Sequence, residues 1–96
     1  MKKLFLDDMR QPPDETWDVV RTHKEFIEYI DEHGVPDIIS FDHDLDGTLT
    51  GLDCAKYIVG RCLTIKEFYV HSANPTGARN IRVLLENWRK FNNDQT

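Results

Sequence analysis

Short blocks of apolar residues alternate with polar stretches along the whole chain. Lys3 to Asp7 is an apolar run closed by acids, which predicts a buried strand. Arg10 to Glu15 contains Pro12 and Pro13 and predicts a loop. Trp17 to Arg21 is rich in strand-forming residues and predicts a second strand. Thr22-His23-Lys24-Glu25 then has the spacing of a capping box, with Phe26, Ile27 and Ile30 on one helical face behind it, and Gly34 and Pro36 end that helix. Asp37 to Phe41 predicts a third strand, which runs into Asp42-His43-Asp44. After a polar loop, Leu52, Ala55, Val59 and Cys62 fall at steps of three and four and predict a second helix. Glu67 to Val70 predicts a fourth strand ending in His71-Ser72. Asn74-Pro75 has the form of an N-cap followed by proline at the first helical position. The last helix carries Ile81, Leu84, Leu85 and Trp88 on one stripe, and the polar tail from Asn92 is expected to fray.

The predicted order is β-β-α-β-α-β-α. Strands separated by helices pair in parallel through right-handed crossovers. The expected fold is a small, mostly parallel four-stranded α/β sheet in a single domain spanning residues 1–96, with no internal repeat or linker. A net charge of -5 provides no global field to attract duplex DNA, although a local basic patch or a metal can still receive a phosphate. No apolar run approaches the roughly 20 residues that cross a bilayer, so no membrane association is expected and a cytoplasmic location is the default. Cys54 and Cys62 fall eight residues apart on one predicted helix. At roughly 12 Å separation they are expected to stay reduced.

Three of the four strands end in reactive side chains: Asp7-Asp8, Asp42-His43-Asp44 and His71-Ser72. Ligands of open α/β sheets bind beyond the carboxyl ends of the strands, so these groups share one rim. Carboxylates gathered there repel one another by about 4 kcal/mol per pair at 4 Å and an effective dielectric of 20. A divalent metal, Arg10, or raised pKa values must offset that repulsion. Oxygen donors favour Mg²⁺ or Mn²⁺, and an added imidazole shifts the preference toward Mn²⁺ or Zn²⁺. If strand alternation persists, Asp42 and Asp44 point one way and His43 the other. His71 stands beside Ser72 and the start of the last helix, whose N–H groups suit a phosphate; Gly77 leaves the approach open, and Asn80 borders the apolar stripe. Arg10 and Arg21 can each form a bidentate bond with a phosphate or a structural ion pair with an Asp. His23 and His33 are expected on the surface away from this rim, and Trp17 and Trp88 in the core.

Together, Leu4-Phe5-Leu6-Asp7-Asp8 with Arg10 and Pro12-Pro13, Trp17 with Arg21-Thr22, Ser40-Phe41-Asp42-His43-Asp44-Leu45, and His71-Ser72-Ala73-Asn74-Pro75 with Gly77 and Asn80 resemble the cyclic-phosphate processing receiver-like domains of phages and bacteria. The resemblance covers nearly the whole chain. It implies a receiver-like, flavodoxin-like three-layer fold and processing of a cyclic nucleotide or an RNA-end cyclic phosphate, in the cytoplasm of a bacterium or of a phage's host. Asp7, Asp8 and Asp42 resemble the metal-binding acids of a receiver, and Ser72 its small hydroxyl residue after the fourth strand. His43, Asp44 and His71 match this family rather than ordinary receivers. Ordinary receivers place a helix between the first two strands, where this chain has a proline-containing loop. They also place a phosphoryl-contacting lysine after a fifth strand, whereas here Lys90 falls within the last helix, which argues against a phosphorelay role.

Two classes of function follow. The first is a metal-dependent phosphodiesterase in which Asp7, Asp8 and Asp42 hold the metal, His71, His43 and Asp44 carry the acid–base chemistry, and Arg10, Ser72, Asn74 and Asn80 bind the substrate. The second is a non-catalytic module that binds a cyclic nucleotide or a protein partner.

Overall fold

The structure, a computed structural model, describes residues 1–94. Its elements are β1 (Lys3–Leu6), β2 (Trp17–Val20), α1 (His23–His33), β3 (Ile38–Phe41), α2 (Gly51–Gly60), β4 (Glu67–Val70) and α3 (Pro75–Asp94). The strands form one sheet in the order β2-β1-β3-β4, with every pairing parallel.

Both helical crossovers, β2-α1-β3 and β3-α2-β4, run in the same direction across the sheet. Right-handed crossovers then place their helices on the same face. The core agrees: Leu4, Leu6, Ile39 and Phe41 from the strands pack with Phe26 and Ile30 of α1, Cys54, Ala55 and Ile58 of α2, and Ile81 and Leu85 of α3. Alternation sends the other strand residues to the opposite face, where Phe5, Trp17, Val19, Ser40 and Tyr69 lie. The fold class is the receiver-like α/β sheet expected from the sequence. Among the described residues, however, the layer on this second face is made of side chains rather than helices. The cause is local, since the β1–β2 connection carries Pro12 and Pro13 and forms no helix.

Several local signals work differently from their expectation. Thr22 caps α1 by accepting from Glu25 N at 3.1 Å, but Glu25 Oε1 accepts from Arg21 N at 2.7 Å, one residue beyond the capping-box position. A reciprocal capping box does form at Thr50 and Asp53, ahead of α2. α2 ends at Gly60, so Cys62 lies outside the helix, in a turn with φ of 56°. Both cysteines are nonetheless free thiols. α3 continues through Asn92 to Asp94, and the end of the expected frayed tail, residues 95 and 96, lies outside the described residues. Trp88 packs against the core and donates its indole N–H to Leu63 O at 2.8 Å. Trp17 instead lies on the second face, edge-on to Phe5, with Lys3 Nζ 5.1 Å from its ring centroid.

Candidate functional site

The parallel register brings the carboxyl ends of β1, β3 and β4 to one rim. A ladder of backbone bonds fixes their levels: Asp42 N donates to Leu6 O at 3.0 Å, and His71 N to Phe41 O at 2.9 Å. Asp7, Asp42 and His71 therefore meet, each offering a donor atom within 4.8 Å of the others. Asp7 and Asp42 are buried and His71 is half-buried. Asp7, Asp8, Met9, Arg10, Asp42, Asp44 and Ala73 line a cavity of about 280 Å³ over this cluster.

Asp7 is held from several sides. Its Oδ1 accepts from Met9 N at 2.9 Å and Arg10 N at 2.8 Å, and its Oδ2 lies 3.0 Å from His71 Nε2. Burial pulls its pKa upward, but these two backbone N–H groups and His71 outweigh it and hold the carboxyl below its ordinary value. An ionised carboxylate only accepts, so His71 Nε2 donates to Asp7. In a neutral ring Nδ1 is then an acceptor, and it takes the hydroxyl proton of Ser40, 2.7 Å away. The ring stacks on Phe5 at 4.4 Å between centroids and 5° between planes. Asp8 is pushed above its ordinary value, first by burial and then by the charges of Asp7, Asp42 and Asp46.

Arg10 Nη1 donates to His71 O at 2.8 Å, which pins the guanidinium at the cavity edge, and Arg10 Nε lies 3.9 Å from Asp7 Oδ2. Arg21 acts on the backbone instead. Its Nη1 donates to Asp7 O at 3.0 Å and Arg10 O at 2.7 Å, clamping the loop that presents both residues.

Asp42 and Asp44 both face the cavity, and Asp44 N donates to Asp42 Oδ1 at 3.3 Å. His43 turns the other way. Its Nδ1 lies 3.1 Å from Asp44 Oδ1, and its ring fills the space that a side chain at Gly77 would need, since a Cβ there would fall 2.3 Å from His43 Cγ. Gly77 thus accommodates His43 rather than opening a path to the helix end. Gly51 permits a still closer approach, because a Cβ there would lie 1.8 Å from Asp42 O.

The substrate-binding set expected from the sequence divides. Arg10 is at the cavity. Ser72 and Asn74 adjoin it but use their side chains on the backbone, with Ser72 Oγ accepting from Asn74 N and Asn74 Oδ1 from Gly77 N, each at 3.0 Å. The second bond occupies one of the helix-end N–H groups that would otherwise be open to a phosphate. Asn80 is exposed on α3 and lines a separate groove. Of the three expected metal acids, Asp7 and Asp42 converge, whereas Asp8 borders the cavity and His71 takes the third place in the cluster. His23 starts α1 at the rim end of the sheet but lines a different hollow, beside Asp46. Ser40 and Phe5, which hold the His71 ring, escaped sequence reasoning. The one signal was a hydroxyl inside the otherwise apolar Ile-Ile-Ser-Phe strand.

A family model described as the cyclic-phosphate processing receiver domain matches residues 2–87. No curated protein matches the chain. Among solved structures, a yeast Spc42 trimeric coiled-coil segment (amino acids 181–211) fused to another protein is similar at a TM-score of 0.59 and 18% identity, over 86% of this chain and 60% of that one. At that identity the likeness supports the fold alone.

Proposed function

This chain belongs to the cyclic-phosphate processing receiver domains, and on that footing we propose that it is a metal-dependent phosphodiesterase that opens cyclic phosphates of nucleotides or RNA ends. The observation that carries this reading is the convergence of Asp7, Asp42 and His71 within 4.8 Å, beside a cavity that Asp7, Asp42 and Arg10 line. Two carboxylates and an imidazole fit Mn²⁺ or Zn²⁺, and Mg²⁺ with more water in its shell. The raised pKa of Asp8, where acids crowd beside the cluster, fits a site that a cation would relieve.

Asp7, Asp42 and His71 would hold the ion, His71 in its other tautomer with Nδ1–H donating to Ser40 Oγ and Nε2 free of its proton; such an ion would polarise a phosphoryl oxygen and acidify a coordinated water. Ser40 and Phe5 fix the orientation of the imidazole. Arg10, pinned through His71 O and lining the cavity, would offer its remaining guanidinium N–H groups to phosphate oxygens. Hydrolysis adds water across one P–O ester bond, so the attacking water loses a proton and the leaving ribose oxygen gains one. Asp44, exposed at the cavity and paired with His43, would carry that proton between the ester oxygen and solvent.

A second reading, binding without cleavage, draws support from one observation: both ring nitrogens of His71 already have protein partners. Incubation with 2′,3′-cyclic, 3′,5′-cyclic and cyclic dinucleotide phosphates, each with Mg²⁺, Mn²⁺ or Zn²⁺, separates the two. A ring-opened monophosphate supports the phosphodiesterase. Saturable binding with no product in any combination supports the binding module.

A further inference from the structure

A groove of about 780 Å³ lies between α2 and α3, outside the acidic cavity. Its walls carry Lys56 from α2 and Arg79, Asn80 and Asn87 from α3, over apolar Leu52 and Leu84. None of the nine side chains lining it is acidic. The chain as a whole holds 17 acids against 12 lysines and arginines, so a groove whose two charged lining residues, Lys56 and Arg79, are both cations is set apart by its charge. The helix that forms one wall shares this bias. α3 carries Arg79, Arg82, Arg89 and Lys90 against Glu86 and Asp94, which leaves eight cations against fifteen acids elsewhere.

The groove also starts at the functional rim. Both helices that wall it begin there, α2 with Gly51 against Asp42 O and α3 with Gly77 against the His43 ring. Pro75 and Thr76 line its upper end, while Ala73, two residues earlier, lines the acidic cavity. A ligand with its terminal phosphate at Asp7 and Asp42 could therefore continue over Ala73 and Asn74 into a basic trough. Lys56 and Arg79 stand five and four residues into their helices, roughly 6–8 Å beyond the helix starts, so a polyanionic strand offers them phosphates that a mononucleotide lacks.

We infer that the α2–α3 groove seats the single-stranded RNA that leads to the cyclic-phosphate end, with Lys56 and Arg79 on backbone phosphates and Asn80 and Asn87 as polar contacts. The inference deepens the proposed function and rests on that reading for the placement of the terminal phosphate. Under it, the substrate class is RNA ends rather than free cyclic mononucleotides.

The test uses the full chain and the double variant Lys56→Glu/Arg79→Glu, both positions being exposed. Circular dichroism and melting check that the variant folds as wild type; if it does not, Lys56→Gln/Arg79→Gln takes its place. Fluorescein-labelled RNA hexamers ending in a 2′,3′-cyclic phosphate or in a plain 3′-hydroxyl are followed by anisotropy, and adenosine 2′,3′-cyclic phosphate by product formation and calorimetry. The charge-reversal variant should bind both hexamers about tenfold more weakly and show a salt slope shallower by roughly 1.4, the loss of two single-strand phosphate contacts. Its handling of the cyclic mononucleotide should match wild type. The plain hexamer keeps the inference separate from the hydrolase reading. If no cyclic phosphate is ever opened but the variant still loses hexamer binding, the groove stands and the hydrolase falls. Hexamer binding equal in wild type and variant, no hexamer binding by wild type, or tighter binding of an oligoglutamate peptide than of either hexamer would overturn the inference.

Discussion

His71 Nε2 lies 3.0 Å from Asp7 Oδ2, although the two residues follow strands that do not touch. β3 runs between β1 and β4, and the imidazole spans it by resting Nδ1 on Ser40 of that strand. One ring thus ties three strand ends together on the sheet face that carries no helix among the described residues. The same ring stands between a structural duty and a metal-binding one.

His71→Gln separates these duties. A glutamine keeps one hydrogen bond but loses the Phe5 stack and the imidazole donor. As a metal ligand, His71 should cost at least 10–100-fold in Mn²⁺ affinity when replaced, the range seen even for outer-shell changes, and turnover should fall with it. Titration calorimetry with Mn²⁺ checks this. Wild-type Mn²⁺ affinity with a 10²–10⁴-fold loss of turnover would make His71 a proton carrier instead, and lower stability alone would make it a core residue.

Asp8→Asn should stabilise the metal-free protein. Its carboxylate sits among Asp7, Asp42 and Asp46, and its raised pKa reflects burial and that crowding. Removing one charge should contribute about 1 kcal/mol, raising the melting temperature by about 4–8 °C. A melting temperature equal to or below wild type in chelator would contradict this.

The two glycines at the rim should respond unequally to alanine. At Gly51 the new Cβ meets the Asp42 carbonyl at 1.8 Å, and backbone cannot swing aside. Gly51→Ala should cost about 3 kcal/mol or more in urea unfolding. At Gly77 the obstacle is the His43 ring, which can rotate at the expense of its Asp44 bond. Gly77→Ala should therefore cost about 1–2 kcal/mol and lower turnover while metal affinity stays. Equal destabilisation by both changes would show that His43 is as fixed as the backbone.

Asp53 should shape the acid limb of stability. The Thr50 backbone N–H outweighs burial and holds this carboxyl below its ordinary value. A depressed folded pKa contributes stability above the unfolded value, near 3.9, and that contribution is lost as pH falls through the folded value. Wild type should exceed Asp53→Asn by about 1 kcal/mol at pH 6, the usual size of a capping interaction. The gap should close as pH drops below about 4. A gap that persists unchanged at pH 2.5 would remove the charge from the explanation.

Much of the fold is legible because short strands here alternate with well-marked helix starts and stops. Thr22, Gly34 and Asn74-Pro75 act through local backbone geometry, and the structure uses each of them. The rim position of Asp7, Asp42 and His71 follows from parallel topology alone. The exchange of Asp8 for His71 in the cluster does not, because it depends on Ser40 and Phe5 fixing a ring across an intervening strand. The fates of Ser72 and Asn74 were hidden for a related reason. A side chain that suits a phosphate suits a backbone N–H equally well, and the nearer partner wins. Asn80 lines the neighbouring groove rather than the acidic cavity, a position set by the course of α3.

The central claim is that Asp7, Asp42 and His71 form a metal-dependent site that opens a cyclic phosphate. Phosphorus NMR of a 2′,3′-cyclic phosphate RNA end, with wild type and Asp42→Asn in Mn²⁺ and in chelator, tests it most directly. Conversion of the cyclic signal to a monoester is expected only for wild type with Mn²⁺, abolished by chelator and by Asp42→Asn. A cyclic signal that persists with wild type under every metal, or conversion that continues undiminished in chelator, would contradict it.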